Sequence, residues 1–286
     1  MNSPDSDPVL PSPGAGFRRR VRETAKLAAC LAMDSARFVT GRRDPLVPPT
    51  RLMFDGPRGF EKFKSSGRET LSALTEIGGL KPSHAVLDVG SGIGRKTVPL
   101  TAYLLQEASY DGIEIVRAGV DWCSKHITPR FPNFRFHHAD VYNRHYNPRG
   151  MVKAKDYRFP FEDSTFDFVL LTSVFTHMLP DDVRNYVSEI ARVLRPKGRL
   201  FVTYYLLTES AKQSVTEGRG AYRLPVRTSE FWAEDPHDLE AITALDEVFV
   251  KGLYASSGLV IEDPIRYGPW SRGVPHGQDI VIAVRD

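Results

Sequence analysis

The chain has 286 residues, enough for one large α/β domain or two smaller ones. Apolar residues make up 41% and charged residues 26%, which is ordinary globular composition and argues against wholesale disorder. The formal net charge of +3 is too small to indicate a general nucleic-acid binder.

The cysteine content and the apolar runs bear on the compartment. Cys30 and Cys123 lie far apart without CxxC spacing, so we expect neither a disulfide framework nor a metal site. No apolar run approaches the roughly 18 residues that a spanning helix needs. The stretch after Arg22 is interrupted by Glu23 and Lys26, unlike the apolar region of a signal peptide. We therefore predict a cytoplasmic protein whose membrane contact, if it has any, is peripheral.

The first 50 residues are expected to precede the main domain. Residues 1–16 are rich in proline, glycine and serine, which predicts a disordered tail. Residues 17–50 combine a helical pattern up to about Thr40 with a proline-punctuated linker. The basic stretch 17–43 could rest on an anionic membrane surface. It could instead dock on its own domain, which the many alanines on its apolar side favour.

From about residue 60 to the end, helical and strand patterns alternate within a predicted domain of residues 51–286. Helices are predicted over 61–79, 94–107, 117–127, 181–194 and 239–257, and strands over 85–89, 110–115, 134–138, 166–172, 200–205, 260–265 and 279–284. This alternation predicts an α/β fold with a mostly parallel sheet and helices on both faces. The segment 207–238 is either a substrate lid or ordinary packing.

The strongest local signal is a glycine loop directly after the first predicted strand. It reads acidic-x-Gly-x-Gly-x-Gly from Asp88 to Gly94. Gly90 and Gly92 allow a sharp turn and close approach of the backbone to a ligand, and the helix that follows offers unpaired N–H groups. A dinucleotide fingerprint would need its third glycine at position 95, which is Arg95.

With four further segments in the same order, the chain resembles the class I S-adenosylmethionine-dependent methyltransferases. These segments are the predicted second strand ending in an acid at Glu114, the third ending near Asp140, and the stretches 159–169 and 193–202. The resemblance spans about residues 60–286. It implies a Rossmann-like, seven-stranded sheet, with the N-terminal helical extension in addition, and S-adenosylmethionine as the cofactor.

The resemblance also implies a set of cofactor-binding residues. Glu114, about 20 residues beyond the glycine loop, would accept both ribose hydroxyl protons, unless it only faces solvent. Asp140 would accept from the adenine amino group, or cap a turn. Asp88 would order the glycine loop and reach the methionine amino group through water, or act as structural support alone. The full predicted set is Asp88, Gly90, Ser91, Gly92, Gly94, Glu114, Ile115, Asp140 and Val141.

The acceptor is expected beyond the carboxyl ends of the strands, where ligands of open α/β sheets lie. His177, in the segment that follows the fourth predicted strand, is the candidate general base for an oxygen nucleophile. It could equally cap the next helix or shape the pocket wall. Tyr204 and Tyr205, at the end of the fifth predicted strand, are candidate substrate contacts.

These patterns predict methyl transfer from S-adenosylmethionine to a small-molecule or glycan acceptor, at a hydroxyl. Two alternatives stay open. One is an RNA methyltransferase, which the Arg18–Arg22 cluster favours. The other is a non-catalytic cofactor-binding protein on the same fold. A nucleic-acid partner is not favoured, and an NAD-dependent dehydrogenase is disfavoured by Arg95. The patterns carry no prediction about the oligomeric state or the identity of the acceptor.

Overall fold

The computed structural model describes residues 28–30, 32–35 and 44–286. The predicted tail and most of the predicted N-terminal helix lie outside these residues. The described pieces of that helix are helical. Cys30 is buried, and the Asp34 carboxylate accepts a hydrogen bond of 2.7 Å from the Thr50 backbone N–H. These contacts favour docking for this part of the extension.

The main domain consists of strands and helices that alternate along the chain. The strands are β1 Val86–Val89, β2 Tyr110–Glu114, β3 Phe134–His138, β4 Phe166–Leu171, β5 Leu194–Tyr204, β6 Leu206–Leu207, β7 Val226–Arg227, β8 Phe231–Asp235, β9 Asp238–Asp246, β10 Leu259–Ile261 and β11 Asp279–Arg285. The helices are α1 Phe60–Glu76, α2 Thr97–Tyr103, α3 Arg117–His126, α4 Pro180–Val193, α5 Glu209–Thr216 and α6 Glu247–Ser256. Short 3₁₀ helices cover Thr50–Leu52, Ala154–Asp156, Phe175–His177 and Pro269–Arg272.

Seven strands form the main sheet in the order β10-β11-β5-β4-β1-β2-β3. The five strands from β5 to β3 run parallel, and β11 is antiparallel to both of its neighbours. The predicted Rossmann-like, mostly parallel seven-stranded sheet is therefore confirmed. Because β1, β2 and β4 are parallel, their carboxyl ends lie at one edge of the sheet, where the predicted site residues cluster.

The central strands are apolar on both faces because helices cover both. Along β1, Leu87 and Val89 join one buried cluster, and Val86 joins a second cluster on the opposite face. The helix α4 packs on the first face through Val183, Val187 and Ile190, which recur at the spacing of one helical stripe. The central strands therefore contain few polar residues, and Asp88 among them requires an explanation.

The prediction of one helix over 239–257 is wrong in its first half. β9 occupies residues up to Asp246 and pairs antiparallel with β8, and α6 begins only at Glu247. The Asp246 side chain caps α6 by accepting hydrogen bonds from Val248 and Phe249. Together with β6 and β7 these strands form a second, four-stranded sheet. Pairing with distant strands overrode the local helical pattern of this segment.

Other boundaries differ by a few residues. The helix α2 is shorter than predicted and begins at Thr97, three residues beyond the last glycine of the loop. The strand β5 begins at Leu194, before the predicted Leu200, because Leu194 pairs with Phe166 ahead of a register shift. Within the described part of the chain, no helix is long and apolar enough to cross a membrane.

Candidate active site

The glycine loop connects β1 to α2 and turns back against β2. Gly90, Gly92 and Gly94 have φ values of 78°, 61° and 85°, a region that side chains with a Cβ avoid. The backbone N–H groups of Gly90 and Ser91 donate to the Ile113 carbonyl of β2 at 2.9 and 3.0 Å. Since α2 begins only after this loop, the loop backbone and its neighbouring side chains, rather than a helix terminus, would contact a ligand.

Asp88 is fully buried beneath this loop. Its Oδ2 accepts a 2.7 Å hydrogen bond from the Tyr110 hydroxyl, and its Oδ1 lies 3.2 Å from Nζ of Lys96. Lys96 also donates to the Gly90 carbonyl at 2.7 Å and to Thr172 Oγ1 at 2.9 Å. The carboxylate therefore contacts the loop through Lys96, in keeping with the predicted ordering of the loop, and its reach to the methionine amino group stays a prediction. Lys96 was not among the predicted site residues, and its place directly after the loop was the available signal.

Glu114 ends β2 with its carboxylate directed at the glycine loop. Its Oε2 accepts from the Gly92 N–H and its Oε1 from the Val116 N–H, both at 2.7 Å. Burial raises the pKa of Glu114 to about 7, although these two backbone hydrogen bonds oppose the rise. The side chain is 6% exposed, which speaks against the solvent-facing alternative. A ligand that donates hydrogen bonds would favour the ionised form.

Asp140 follows β3 and is exposed. Its backbone carbonyl accepts from the Met151 and Val152 N–H groups at 3.1 and 3.0 Å. Its carboxylate makes no hydrogen bond to any residue that the structure describes, so it does not cap this turn. Val141 is buried, and Ile115 packs against the core beneath the same edge. Asp140 is thus available to a ligand at the carboxyl edge of the sheet.

Three polar atoms around the loop are buried without a hydrogen-bond partner among the described residues: Asp88 Oδ1, Ser91 Oγ and Oδ1 of Asp55. The Asp88 oxygen lies 3.2 Å from Nζ of Lys96 and the Asp55 oxygen 3.7 Å from the Arg95 guanidinium, so of the three only Ser91 Oγ lacks an ion-pair partner. Buried polar groups are nearly always satisfied in folded proteins, so such a cluster fits a site that a polar ligand completes. The acids and the Ser91 hydroxyl can accept hydrogen bonds from the hydroxyl and amino groups of S-adenosylmethionine.

His177 lies at the end of a 3₁₀ helix after β4. Its Nδ1 lies 2.9 Å from the Glu240 carbonyl oxygen of β9. A carbonyl can only accept, so Nδ1 carries the hydrogen and Nε2 has a lone pair. Burial lowers the pKa of His177 below its usual value, which keeps the ring neutral at pH 7. The side chain therefore bonds to β9 rather than to the start of α4, which rules against the helix-capping alternative.

Tyr146 packs beside His177 and is influenced by the charges at the glycine loop. Its ring packs edge-on against the imidazole of His177, with 5.6 Å between centroids. Burial raises the pKa of Tyr146, and the charges of Asp55 and Glu114 raise it further. The phenol thus stands within electrostatic reach of both acids. Sequence reasoning missed Tyr146 because it lies in an irregular loop after β3, without a motif.

The two candidate tyrosines of β5 differ from their predicted role. Tyr204 is 1% exposed, its hydroxyl is bonded to that of Tyr254 at 2.8 Å, and its ring packs on Phe175. It is a core residue because this position of β5 faces α4 and α6, and we no longer assign it to the substrate. Tyr205 is also buried, and its hydroxyl lies 3.1 Å from that of Tyr222.

Tyr205 is linked through Gln278 to Ser173, which follows β4. Gln278 Nε2 donates to the Tyr205 hydroxyl at 3.5 Å, and Ser173 Oγ donates to Gln278 Oε1 at 3.0 Å. Ser173 follows β4 with a φ of 59°, which is uncommon for a residue with a Cβ. Tyr205 is therefore at most an indirect contributor to an acceptor site.

A cavity of about 880 Å³ lies elsewhere, between α5 and the 3₁₀ helix Pro269–Arg272. None of the predicted cofactor residues lines it, so we place the site at the glycine loop, where the unsatisfied polar atoms are. Among the described residues, no group of three or more His, Cys, Asp or Glu side chains could hold a metal ion.

The sequence model of a family described as a methyltransferase domain matches residues 87–202, from β1 to β5. This range contains the glycine loop, Glu114 and His177. The segment 87–202 therefore matches the family of methyltransferase domains, as the resemblance to the class I S-adenosylmethionine-dependent methyltransferases predicts. The second sheet, β6–β9, lies outside the matched segment.

One curated relative of this methyltransferase is the phthiotriol/phenolphthiotriol dimycocerosates methyltransferase 1 of Mycobacterium ulcerans. It is 34% identical over 118 residues, which are 41% of this chain and 36% of the relative. The chain thus matches only about a third of that relative's length.

Solved structures share the fold at low sequence identity. The PH0226 protein of Pyrococcus horikoshii OT3 has a TM-score of 0.53 at 14% identity, over 80% of this chain and 93% of its own. A magnesium protoporphyrin IX methyltransferase from Synechocystis PCC 6803, with bound SAH, has a TM-score of 0.51 at 15% identity. That match covers 91% of this chain and 100% of the other. Both similarities concern the fold of the methyltransferase.

Proposed function

We propose that this chain transfers a methyl group from S-adenosylmethionine to a small-molecule or glycan acceptor, at a hydroxyl. The observation that carries the proposal is the pairing of a neutral His177, with a lone pair on Nε2, and a glycine loop with unsatisfied polar atoms at one edge of the sheet. Tyr146 packs edge-on against the His177 ring. Methyl transfer needs these two parts side by side: a cofactor cradle and a group that takes the acceptor's proton.

The cradle would hold the cofactor through residues already described. Glu114 would accept from the ribose hydroxyls, Asp140 from the adenine amino group, and the loop from Gly90 to Gly94 would let the ligand approach the backbone. Ser91, with its unsatisfied hydroxyl, is a further hydrogen-bonding group in the loop. When bound, S-adenosylmethionine supplies a methyl carbon activated by the positive sulfur. Everything else in the reaction concerns alignment and the acceptor's proton.

His177 would receive that proton at Nε2. The Glu240 carbonyl fixes the ring through Nδ1 at 2.9 Å and would stabilise the imidazolium that forms. A carbonyl partner that favours Nδ1–H leaves the other nitrogen available for the base function. Tyr146, against the same ring, would help to orient the acceptor. The lowered pKa makes His177 a weaker base than a free histidine but keeps it deprotonated at pH 7.

The names of similar proteins support a small-molecule acceptor. The Mycobacterium ulcerans relative is named for phthiotriol and phenolphthiotriol dimycocerosates, and the Synechocystis structure for magnesium protoporphyrin IX. The accepting atom is argued from His177 alone, because a hydroxyl needs a base more than a carboxylate or an amine does. Neither an RNA acceptor nor a glycan in particular is favoured by a specific contact.

Calorimetric titration of the purified chain tests the proposal. We expect S-adenosylmethionine to bind and NAD to give no heat of binding. A second step then follows methyl-labelled cofactor into hydroxylated acceptors and, in parallel, into RNA. Binding of NAD in preference to S-adenosylmethionine would refute the proposal. Transfer of label to RNA alone would replace the small-molecule acceptor by the RNA alternative.

A further inference from the structure

The segment Met53–Gly59, between the first 3₁₀ helix and α1, lies directly over the glycine loop. A Cβ built on Gly92 would collide with the carboxylate of Asp55, and one on Gly119 of α3 would lie 3.1 Å from Phe54. This segment belongs to none of the motifs that predicted the cofactor site. It nevertheless places an acidic side chain against the loop that the cofactor would contact.

Specific contacts hold the segment in this place. The guanidinium of Arg95 donates to the Asp55 backbone carbonyl and, at 3.3 Å, to Ser66 Oγ. It also lies over the Phe63 ring, 4.8 Å from its centroid, and is only 6% exposed. Arg58 donates to the Met53 carbonyl at 3.2 Å. The position of Asp55 is therefore set by the fold of the domain.

The carboxylate of Asp55 has an incomplete set of partners. Its Oδ1 is buried without a hydrogen bond among the described residues and lies 3.7 Å from the Arg95 guanidinium. Its Oδ2 faces Gly92, whose N–H donates to the Glu114 carboxylate, so both carboxylates lie at this glycine. An ionised acid that lacks a donor and meets a second acid is stabilised by a cation or a hydrogen-bond donor between them.

The charges around the loop indicate which of these fits. Asp55, Glu114 and the buried Asp88 face the loop, whereas Lys96 is engaged by Asp88 and the Gly90 carbonyl. Arg95 contacts the Asp55 backbone carbonyl and lies 3.7 Å from Oδ1 of its carboxylate. Three carboxylates thus meet two cations at the loop. Oδ2 of Asp55, which faces Gly92, makes no hydrogen bond among the described residues, and this favours a ligand with positive charge.

We propose that Asp55 is a cofactor-binding residue that recognises the positive charge of the methyl donor and thereby favours the donor over its product. The inference rests on the proposed function. In that reaction the bond between sulfur and methyl carbon breaks and its electron pair stays on sulfur. The methyl carbon bonds to the acceptor oxygen, whose proton goes to His177. The sulfonium thus becomes a neutral thioether, and the carboxylate loses its charged partner.

Calorimetry with S-adenosylmethionine and S-adenosylhomocysteine separates charge recognition from binding in general. Asp55→Asn keeps the shape and removes the charge. We expect its Kd for S-adenosylmethionine to rise about tenfold, the usual loss for a hydrogen bond or ion pair with a charged group. Its Kd for S-adenosylhomocysteine should rise no more than about twofold. The matched control Glu61→Gln, an exposed acid in the first turn of α1, should leave both constants unchanged.

The outcomes are distinguishable. An equal loss for both ligands would overturn the proposal, because Asp55 would then contact a part that donor and product share. Unchanged constants in a variant with wild-type melting temperature would overturn it as well. Asp55→Glu, which keeps the charge, should retain more of the preference for the donor than Asp55→Asn does. If the wild-type chain bound neither ligand, the proposed function itself would fail. That result differs from weakened binding in Asp55→Asn alone, which concerns only the role of Asp55.

Discussion

Glu114 and His177 are ionisable groups that burial shifts towards their neutral forms, with opposite consequences. A neutral histidine can take a proton, so the shift of His177 suits a base. A neutral glutamic acid has lost much of its strength as an acceptor, so the shift of Glu114 opposes ribose binding until a ligand supplies donors. We therefore expect the pKa of Glu114 to govern cofactor affinity and the pKa of His177 to govern turnover.

For Glu114 the dependence lies in cofactor affinity. Its pKa in the free protein is about 7, so below that pH the acid must release a proton before it can accept from ribose hydroxyls. The Kd for S-adenosylmethionine should therefore rise by up to about tenfold for each pH unit below 7 and level off above it. Glu114→Gln should weaken binding at pH 8 by about 1.5–3 kcal/mol and remove this slope. Calorimetric titrations of the wild type and of Glu114→Gln with S-adenosylmethionine, from about pH 5.5 to 8, measure this dependence. A wild-type Kd that does not change with pH would contradict the assignment of Glu114 to the ribose.

For His177 the dependence lies in turnover. His177→Ala should lower turnover on a hydroxyl acceptor by about 10²–10⁴-fold and leave cofactor affinity nearly intact. The wild-type rate should fall only as the pH drops below the lowered pKa of this residue, that is, below 6.5. His84→Ala removes a histidine at the opposite edge of the sheet, just before β1, and should behave as wild type. Near-normal turnover of His177→Ala would remove this residue from the mechanism and direct attention to Tyr146.

At the scale of secondary-structure elements, the loop after β3 and the β8–β9 hairpin together position the candidate base. Asn143 Nδ2 donates to Glu240 Oε2 at 3.1 Å, and His145 Nε2 lies 2.7 Å from the carboxylate of Asp238. The Glu240 backbone carbonyl then holds His177. Two segments distant in sequence thus determine the orientation of one imidazole, and the strand β9 is essential to it.

Asp246, at the junction between β9 and α6, caps the helix and can be tested by its effect on stability. Asp246 accepts from the N–H groups of Val248 and Phe249 and lies 2.9 Å from Nζ of Lys212. Asp246→Ala should lower the free energy of unfolding by about 1–2 kcal/mol, the usual cost of a lost helix cap. Urea denaturation measures it, and Asp121→Ala, at an exposed position of α3, should change stability by less than about 0.5 kcal/mol. Equal stabilities of the two variants would mean that Asp246 does not determine where the helix begins.

At the scale of the whole molecule, the described part of the N-terminal extension contacts the start of the main domain. The Asp34 carboxylate accepts from the Thr50 N–H, and Met33 lies beside Gly59, at the end of the segment that covers the glycine loop. Tail, helix and linker at 1–50, main domain at 51–286 and a lid at 207–238 remain a predicted division. Contact of the basic stretch 17–43 with an anionic membrane remains a proposal as well.

Deletion of residues 1–43 tests whether the extension is needed for cofactor binding and whether it attaches to a membrane. We expect the Kd for S-adenosylmethionine to stay within about twofold of the full chain, because the cradle and its covering segment are retained. If the extension also attaches to membranes, the full chain should sediment with phosphatidylglycerol vesicles at low salt and the truncated chain should not. Failure of the full chain to sediment would leave only the docking role. A large loss of cofactor affinity would show that the extension supports the cradle.

The sequence by itself determined the sheet, the glycine loop and the position of Glu114. These depend on local causes: apolar runs that must be buried on both faces, glycines that accept positive φ, and an acid at the end of a strand. β3 and β4 were predictable for the same reason, to within one residue of their observed ends.

Only the tertiary structure decided which side chains meet at the site. Tyr204 ends its strand as predicted, yet its hydroxyl bonds to Tyr254 in the core. Tyr146 and Asp55, which no motif marks, lie at the glycine loop or beside His177 because irregular segments fold over the sheet edge. The strand β9 forms where the local pattern favoured a helix, since it pairs with β8. Contacts between segments far apart in sequence leave no periodic pattern along the chain, and only the folded chain brings these residues together.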